Sequence, residues 1–457
     1  MSKFLKLPEL DSCKVGIIGT GYVGLPLAIE FADRGICYKT NRKLKRKVVA
    51  YDINKERISQ LRRGEDDTKE ISFNRIKNLK NLRFENDFNA LSEVDVFIVT
   101  VPTPIDKEKR PNLSALKDAS KTIGLAIKER FKTNKQTFPI VIYESTVYPS
   151  ATEEVCCSIL KEFSGCELFP VTNKEGTFGL GYSPERINPG DSKHPLKSIV
   201  KVTSGHSTEV ANWIDQLYCS IIEAGTYKAS SIKVAEASKI MENTQRDLNI
   251  ALINELSIIF YKLGINTDDV INAASSKWNF IPFRPGLVGG HCIGVDPYYL
   301  TYKAKLSGYY PDVILAGRKI NDGMGFWIIE QLVIKMVNNS TKVGGCEVLV
   351  LGFSFKENCP DIRNTKVHDM IVALKMYSMQ YTIVDPFVSC EKAQKEYELE
   401  VLNNVPIGKK YKVIILAVSH EPFCNWSLDE WQNFSYPDSI IFDIKGIVPK
   451  NLNPTRI

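Results

Sequence analysis

"KVGIIGTGYVGLPLAIEFADRG", residues 14–35, opens on a β-branched run, passes through three glycines spaced G-x-G-x-x-G, and continues with helical periodicity. A strand before such glycines and a helix after them are the setting in which this spacing binds a dinucleotide. Gly19 permits the tight turn, Gly21 lets the backbone approach a pyrophosphate, and Gly24 lets helix and strand pack closely. The helix N-terminus adds amide donors and the positive end of a dipole. Asp52 closes the next such run, "KVVAYD" (47–52). A carboxylate there accepts hydrogen bonds from an adenosine ribose and repels a 2′-phosphate, which favours NAD over NADP. Asp52 lies farther along than the usual ~20 residues, and the excess coincides with the basic run "KTNRKLKRK" (39–47), which reads as a solvated insertion before the strand.

Outward from this stretch, "VDVFIVTVP" (94–102) and "IVIYEST" (140–146) have the length and composition of buried parallel strands, and "NKERISQLRRG" is a second helix ending in glycine. From about 206 to 335 the pattern is mostly helical and includes the long segment 230–264. Strands return in "EVLVLGFSF" (347–355), "YTIVDP" (381–386), "KVIILAVSH" (412–420) and "SIIFDIK" (439–445). The expected fold is α/β, with two Rossmann-like doubly wound domains, 1–205 and 336–457, joined by a central helical region, 206–335. Both α/β parts pair a strand opening onto a glycine turn with a later strand ending in aspartate, Asp52 and Asp385. Two nucleotide-binding domains flanking a helical connector would enclose a cleft suited to a reaction between two nucleotides.

Composition sets the outer limits. A chain of 457 residues exceeds the ~250 to 300 at which single cores stop growing, so two or three domains are expected. With 44% hydrophobic and 25% charged residues it is neither disordered nor fibrous. A net charge of +6 suits an anionic small molecule and is too mild to argue for nucleic acid. Eleven cysteines fall at 13, 37, 156, 157, 166, 219, 292, 346, 359, 390 and 424 without C-x-x-C spacing, so neither a disulfide framework nor a zinc site is expected. The start lacks an apolar signal core and no run approaches the ~20 residues of a membrane span. A reducing cytoplasm is the expected location.

"LVGGHCIGVDPYYL", residues 287–300, sets one cysteine among glycines. A thiol is superfluous for oxidising an alcohol but useful for oxidising an aldehyde. A thiolate adds to the aldehyde carbon, the thiohemiacetal releases hydride, and water opens the resulting thioester. The glycines would clear side-chain bulk from the thiol; equally, a cysteine beside glycine can be a small buried filler. Lys239 and Asn243, four apart on the long helix, share a face where an ammonium and an amide could stabilise a tetrahedral oxyanion. The same pair also reads as a solvated helix face. His291 beside Cys292 suits a positioning role better than a Cys–His dyad, because adjacent side chains often point apart. His194, His206, His368 and His420 show no ligand spacing, and no metal is expected.

"GTGYVGLPLA", "VPTP" (101–104), "YESTVYP" (143–149), "GYSPERINPG" (181–190), "KIMENTQRDLNIALINE" (239–255), "FRPGLVGGHCIGVDPYYL" (283–300) and "GFSFKENCPDIRN" (352–364) occur in order over essentially the whole chain. Together they resemble the UDP-glucose/GDP-mannose dehydrogenases, NAD-dependent enzymes that take a sugar CH₂OH to a carboxylate in two oxidations. Within that family the chain looks most like the Vi-antigen type, acting on UDP-N-acetylglucosamine or its galacto epimer for polysaccharide and capsule synthesis. The resemblance implies that Cys292 is the nucleophile, that Asp296 and Thr146 hold and activate a water, and that Lys239 and Asn243 stabilise oxyanions. Glu185 would position water for thioester hydrolysis. Gly19, Gly21, Tyr22, Val23, Gly24, Asp52, Thr103, Thr146 and Arg363 would contact NAD. Glu185, Arg186, Lys239, Asn243, Arg284, Gly289 and Lys356 would contact the UDP-sugar. Pro189 stands where UDP-glucose enzymes usually carry a second glutamate, which favours the N-acetylhexosamine branch, with the same chemistry on UDP-N-acetylmannosamine or UDP-glucose as the alternative. A homodimer or higher homo-oligomer is also implied, with the apolar stripe of 233–260 compatible.

Overall fold

The structure is a computed structural model that describes residues 5–68, 70–134, 136–170, 176–186 and 195–457; the expectations placed on Pro189 and His194 lie outside the described residues. The chain divides into two compact units, Met1–Met241 with Tyr298–Lys303, and Glu242–Pro297 with Ala304–Ile457.

The first unit is built on strands β1 (Lys14–Ile18), β2 (Lys47–Tyr51), β3 (Leu82–Glu85), β4 (Val96–Val99), β5 (Ile140–Tyr143), β6 (Glu167–Leu168), β7 (Thr177–Tyr182), β8 (Lys201–Gly205) and β9 (Thr226–Lys228). They are ordered β3-β2-β1-β4-β5-β7-β8-β9, with β6 beside β7. The six from β3 to β7 run parallel, and β8 meets β7 antiparallel. Parallel strands are covered on both faces, which explains why β4 and β5 are buried at every position. Val15, Ile17, Leu25, Ile29, Ile98 and Ile142 form the centre of that core.

The second unit carries β10 (Glu347–Leu351), β11 (Gln380–Val384), β12 (Val401–Leu402), β13 (Tyr411–Leu416), β14 (Ser435–Asp443) and β15 (Thr455–Arg456), all parallel and ordered β12-β11-β10-β13-β14-β15. This repeats the strand order of the first sheet. In both, order reverses beside the first strand, the place where open α/β sheets bind ligands at the strands' carboxyl ends.

The shared plan extends to single hydrogen bonds. Gly19 (φ +97°) donates to Tyr51 O and Gly352 (φ +92°) to Val384 O, each at 2.8 Å. Asp52 accepts from Thr20 N at 2.8 Å; Asp385 accepts from Phe353 N at 2.7 Å and Ser354 N at 2.9 Å. The two carboxylates then part ways. Asp385 is fully buried, and Phe387 N, Val388 N and His420 Nε2 take up its remaining acceptor capacity. Asp52 stays half-buried, and its Oδ1 receives Asn54 N.

The basic run 39–47 corrects the reading of it as a plain solvated insertion. Lys39, Arg42, Lys43, Lys45 and Lys47 are exposed, but Leu44 and Arg46 turn inward. Arg46 donates to Leu10 O at 2.8 Å and Ser220 Oγ at 2.7 Å. A buried guanidinium needs such acceptors, and here they fasten the insertion to the unit.

Gly352 and Gly323 respond oppositely to the same substitution. A Cβ on Gly352 would lie 2.4 Å from Val418 Cβ on top of a left-handed backbone, whereas one on Gly323, inside the helix Asp312–Asn338, meets nothing within 4 Å. Gly352→Ala is expected to destabilise by roughly 2–4 kcal/mol, and Gly323→Ala to stabilise by about 0.5–1 kcal/mol. Urea unfolding midpoints moving in opposite directions would bear this out.

Candidate active site

In the first unit the helix Gly24–Asp33 starts at Val23 without a side-chain cap; Leu25 N is taken by Gly21 O at 3.1 Å and Pro26 has no N–H, so the amides of Val23 and Gly24 are the ones that remain for an anion. A Cβ on Gly24 would fall 1.9 Å from Gly19 O, while one on Gly21 would meet nothing within 4 Å. Protein therefore fills the space at Gly24, and the space at Gly21 is open for a pyrophosphate. Tyr22 and Val23 are half-buried in the same turn. Arg57, which the sequence reading passed over, is buried and donates to Thr20 O at 2.9 and 3.1 Å. Its charge is balanced by Asp66 at 2.8 Å and by Asp67, so it braces the glycine turn from behind. Uncapped amides, an open glycine face and the half-buried Asp52 carboxylate fit NAD.

Two loops follow β4 and β5. Thr103 Oγ1 donates to Thr146 O at 2.7 Å, Ser145 Oγ to Val101 O at 2.7 Å, and Tyr299 OH to Thr103 O at 2.7 Å. Thr103 and Thr146 are thus brought together. Ser150, at the end of the second loop, holds φ +81°, a strained conformation costing about 1–3 kcal/mol outside glycine.

Lys239 and Glu185 meet in the same unit, Nζ to Oε2 at 3.3 Å, both side chains below one-tenth exposed. Glu185 Oε1 is buried with no hydrogen-bond partner among the described residues. A buried acceptor beside an ammonium is where a water or polar ligand belongs. The preceding residue is fixed by Lys201, whose Nζ donates to Pro184 O at 3.0 Å and pairs with Glu144 at 2.7 Å. Tyr218 OH completes Glu144. Arg186 is half-exposed and donates to Val200 O at 3.1 Å.

In the second unit, Cys292 is partly exposed in the turn before the helix Asp296–Leu306, and its carbonyl accepts Val295 N at 3.0 Å and Asp296 N at 2.8 Å. Asp296 is 1% exposed and receives Asn243 Nδ2 at 2.5 Å. Lys239 and Asn243, expected to act as neighbours, are each engaged by a separate carboxylate. The loop glycines have a cause besides the room around the thiol that the sequence suggested. A Cβ on Gly289 would lie 2.7 Å from Asn364 O, and one on Gly290 would lie 2.8 Å from the Phe355 ring. They let the cysteine loop lie against the loop after β10. Asn254, also unanticipated, clamps the near end, donating to Gly286 O at 3.1 Å and accepting Gly286 N at 2.8 Å.

His291 Nδ1 lies 3.8 Å from Asp361 Oδ2, with its ring edge-on to Phe355. Arg363 donates to both oxygens of Asp361, at 2.5 to 3.0 Å. Burial raises the Asp361 carboxyl, but those bonds and the Arg363 charge outweigh it and leave the group below the usual carboxylate range. Lys356 Nζ sits 5.8 Å above the Phe355 ring. Arg284 is exposed, held by Asp268 and by Asn272 at 3.2 Å. Among the described residues no cluster of three or more His, Cys, Asp and Glu could hold a metal, and no helix is long and apolar enough to cross a membrane.

Three family models match in order: the UDP-glucose/GDP-mannose dehydrogenase family NAD binding domain over 13–222, its central domain over 233–323, and its UDP binding domain over 349–450. The chain belongs to the UDP-glucose/GDP-mannose dehydrogenase family. Among similar proteins, a UDP-N-acetyl-D-glucosamine 6-dehydrogenase of Pseudomonas aeruginosa is 50% identical over 98% of this chain and 100% of its own. One of Salmonella typhi is 47% identical over 98% and 99%. Protein CapL of Staphylococcus aureus is 45% identical over 95% and 96%. Among solved structures, a UDP-D-ManNAc dehydrogenase from Pyrococcus horikoshii superimposes with a TM-score of 0.80 at 27% identity, covering 96% of each chain. This dehydrogenase is thus an NAD-dependent oxidoreductase with two Rossmann-type sheets.

Asp52→Ala is expected to weaken NAD binding by about tenfold or more, a loss of ~1.4 kcal/mol, and to narrow the preference over NADP. Calorimetric titration of both cofactors reads this directly; unchanged affinities would remove Asp52 from the cofactor site.

Proposed function

We propose that this dehydrogenase oxidises the C6 hydroxymethyl of UDP-N-acetylglucosamine, or of its galacto epimer, to the uronate. The observation that carries the reading is full-length identity of 50% and 47% to two UDP-N-acetyl-D-glucosamine 6-dehydrogenases. The proteins called UDP-N-acetyl-D-mannosamine dehydrogenase stand at about half that identity, at 27 to 28%. The partly exposed Cys292 supports a four-electron course.

NAD, when bound, accepts the hydride in each of the two oxidations. In the first, C6 loses a hydride and its hydroxyl a proton, giving the aldehyde. Cys292 thiolate adds to that carbon, and Lys239 and Asn243 stabilise the oxyanion of the thiohemiacetal. Loss of the second hydride leaves a thioester. Water then attacks, with Thr146, Asp296 and Glu185 orienting it, and the carboxylate departs as the C–S bond breaks and the thiolate is restored. Glu185 Oε1, buried and without a hydrogen-bond partner among the described residues, supports its role with water. Lys239 Nζ beside Glu185 supports a low-dielectric setting in which the ammonium acts strongly on developing charge.

Arg363, oriented by Asp361, serves the cofactor; Lys356, Arg284, Arg186 and Gly289 serve the UDP-sugar. The same reading makes the enzyme a cytoplasmic homo-oligomer that supplies polysaccharide synthesis. Met241, Leu252, Ile259 and Leu263, exposed on the long helix, support a self-association surface.

A panel of UDP-sugars with NAD tests the proposal. Two NADH per molecule of UDP-N-acetylglucosamine and a product of uronate mass are expected, with no uronate from Cys292→Ala. Lys239→Ala is expected to lower kcat by about 10²- to 10³-fold. One NADH per sugar from the intact enzyme would overturn the four-electron course.

A further inference from the structure

Glu236 is fully buried on the helix Ile232–Leu263, one turn before Lys239. None of the roles assigned above uses it. Its two oxygens each take one backbone amide of a single turn, Ser150 N at 2.5 Å and Thr152 N at 2.9 Å. That turn begins at Thr146, whose carbonyl is held by Thr103 Oγ1 on the other side. Between the two attachments the chain passes through the left-handed Ser150, a conformation kept only where its surroundings enforce it.

We propose that Glu236 is a positioning residue for the reaction: its ionised carboxylate ties the Thr146–Thr152 turn to the helix that presents Lys239. This deepens the functional reading above and rests on it for the roles of Thr146 and Lys239. Ionisation matters because a carboxylate offers a strong acceptor to each amide, whereas protonation converts one oxygen into a hydroxyl, a much weaker acceptor whose own proton crowds the amide N–H. Lys239, the cation next on the helix, is paired with Glu185. From the segment packed against Glu236, the titratable groups that face it are Glu153, Tyr148 and the Cys156 thiol. Burial pushes the Glu236 carboxyl up to about 7, against the lowering by the Thr152 and Ser150 bonds, and Glu153 adds to the rise. Because the folded value is raised, this group's contribution to stability is full below its unfolded value and is lost as pH climbs through about 7. Folding alone would favour the protonated form, which weakens one of the two bonds and loosens the turn.

The test combines turnover and amide exchange. In wild-type enzyme, kcat should fall on the acid side of about pH 7, and the Ser150 and Thr152 amides should lose protection there once intrinsic exchange is corrected. Glu236→Gln offers one acceptor and one clashing NH₂. At pH 8 it should lower kcat about tenfold or more with the KM for NAD within about twofold, show no acid limb near 7, and exchange those amides rapidly at every pH. Wild-type kcat and an unchanged acid limb in Glu236→Gln would overturn the proposal, as would pH-independent protection of the two amides in the native enzyme. If no UDP-sugar reduces NAD, the functional reading fails separately, and the exchange data still decide the clamp.

Discussion

A buried polar stripe on one helix is the constraint on which the rest depends. Along Ile232–Leu263, the side chains of Glu236, Lys239, Asn243, Asp247, Asn254 and Ser257 recur at helical spacing and are buried. Leaving such groups without partners would cost several kcal/mol each, so each turn of the helix demands a complementary segment. Glu236 receives the turn after β5, Lys239 receives Glu185, Asn243 receives Asp296, and Asn254 receives the backbone of Gly286. Asp247 is answered by Arg318 at 2.6 Å and by Asn321 at 2.7 Å. Every one of those partners except the Arg318 and Asn321 pair lies on, or next to, a segment assigned to chemistry.

The two sheets show how one architecture is put to different uses. Both close a glycine turn with an aspartate at the end of the second strand. In the second unit His420 Nδ1 accepts Asn358 N at 3.0 Å, so its proton sits on Nε2 and is donated to Asp385. The histidine and aspartate thereby stitch down the loop that carries Lys356 and Arg363, and no carboxylate oxygen is left for a ribose. In the first unit Asp52 keeps an accessible side. A dinucleotide fits the first turn; the second is committed to holding its own loop.

Much of this was legible in the sequence because the signals are local. The runs at β1, β2, β4, β5, β10, β11, β13 and β14 have strand composition, and the glycine motif reads correctly because its strand and helix adjoin it. β7, "TFGLGY", was missed: its glycines lower strand propensity, yet a Cβ on Gly181 would lie 2.2 Å from Ile214 Cδ1, so they serve helix packing. The site motifs were visible one by one, but their partners were not. Periodicity assigns polar helix residues to solvent, while Glu236, Asp247 and Asn254 face inward toward residues remote in the chain. The exposed positions mix Val234, Met241, Leu252 and Ile259 with Lys233, Gln245, Arg246 and Glu255, so neither face of this helix follows a simple amphipathic pattern.

What most directly tests the central claim is peptide mapping of enzyme quenched in acid during turnover with UDP-N-acetylglucosamine and NAD. The account requires a sugar-derived acyl mass on the peptide containing Cys292, absent when NAD is withheld and chased off by continued turnover. A turning-over enzyme whose Cys292 peptide never carries that mass, or carries it on another residue, would contradict it.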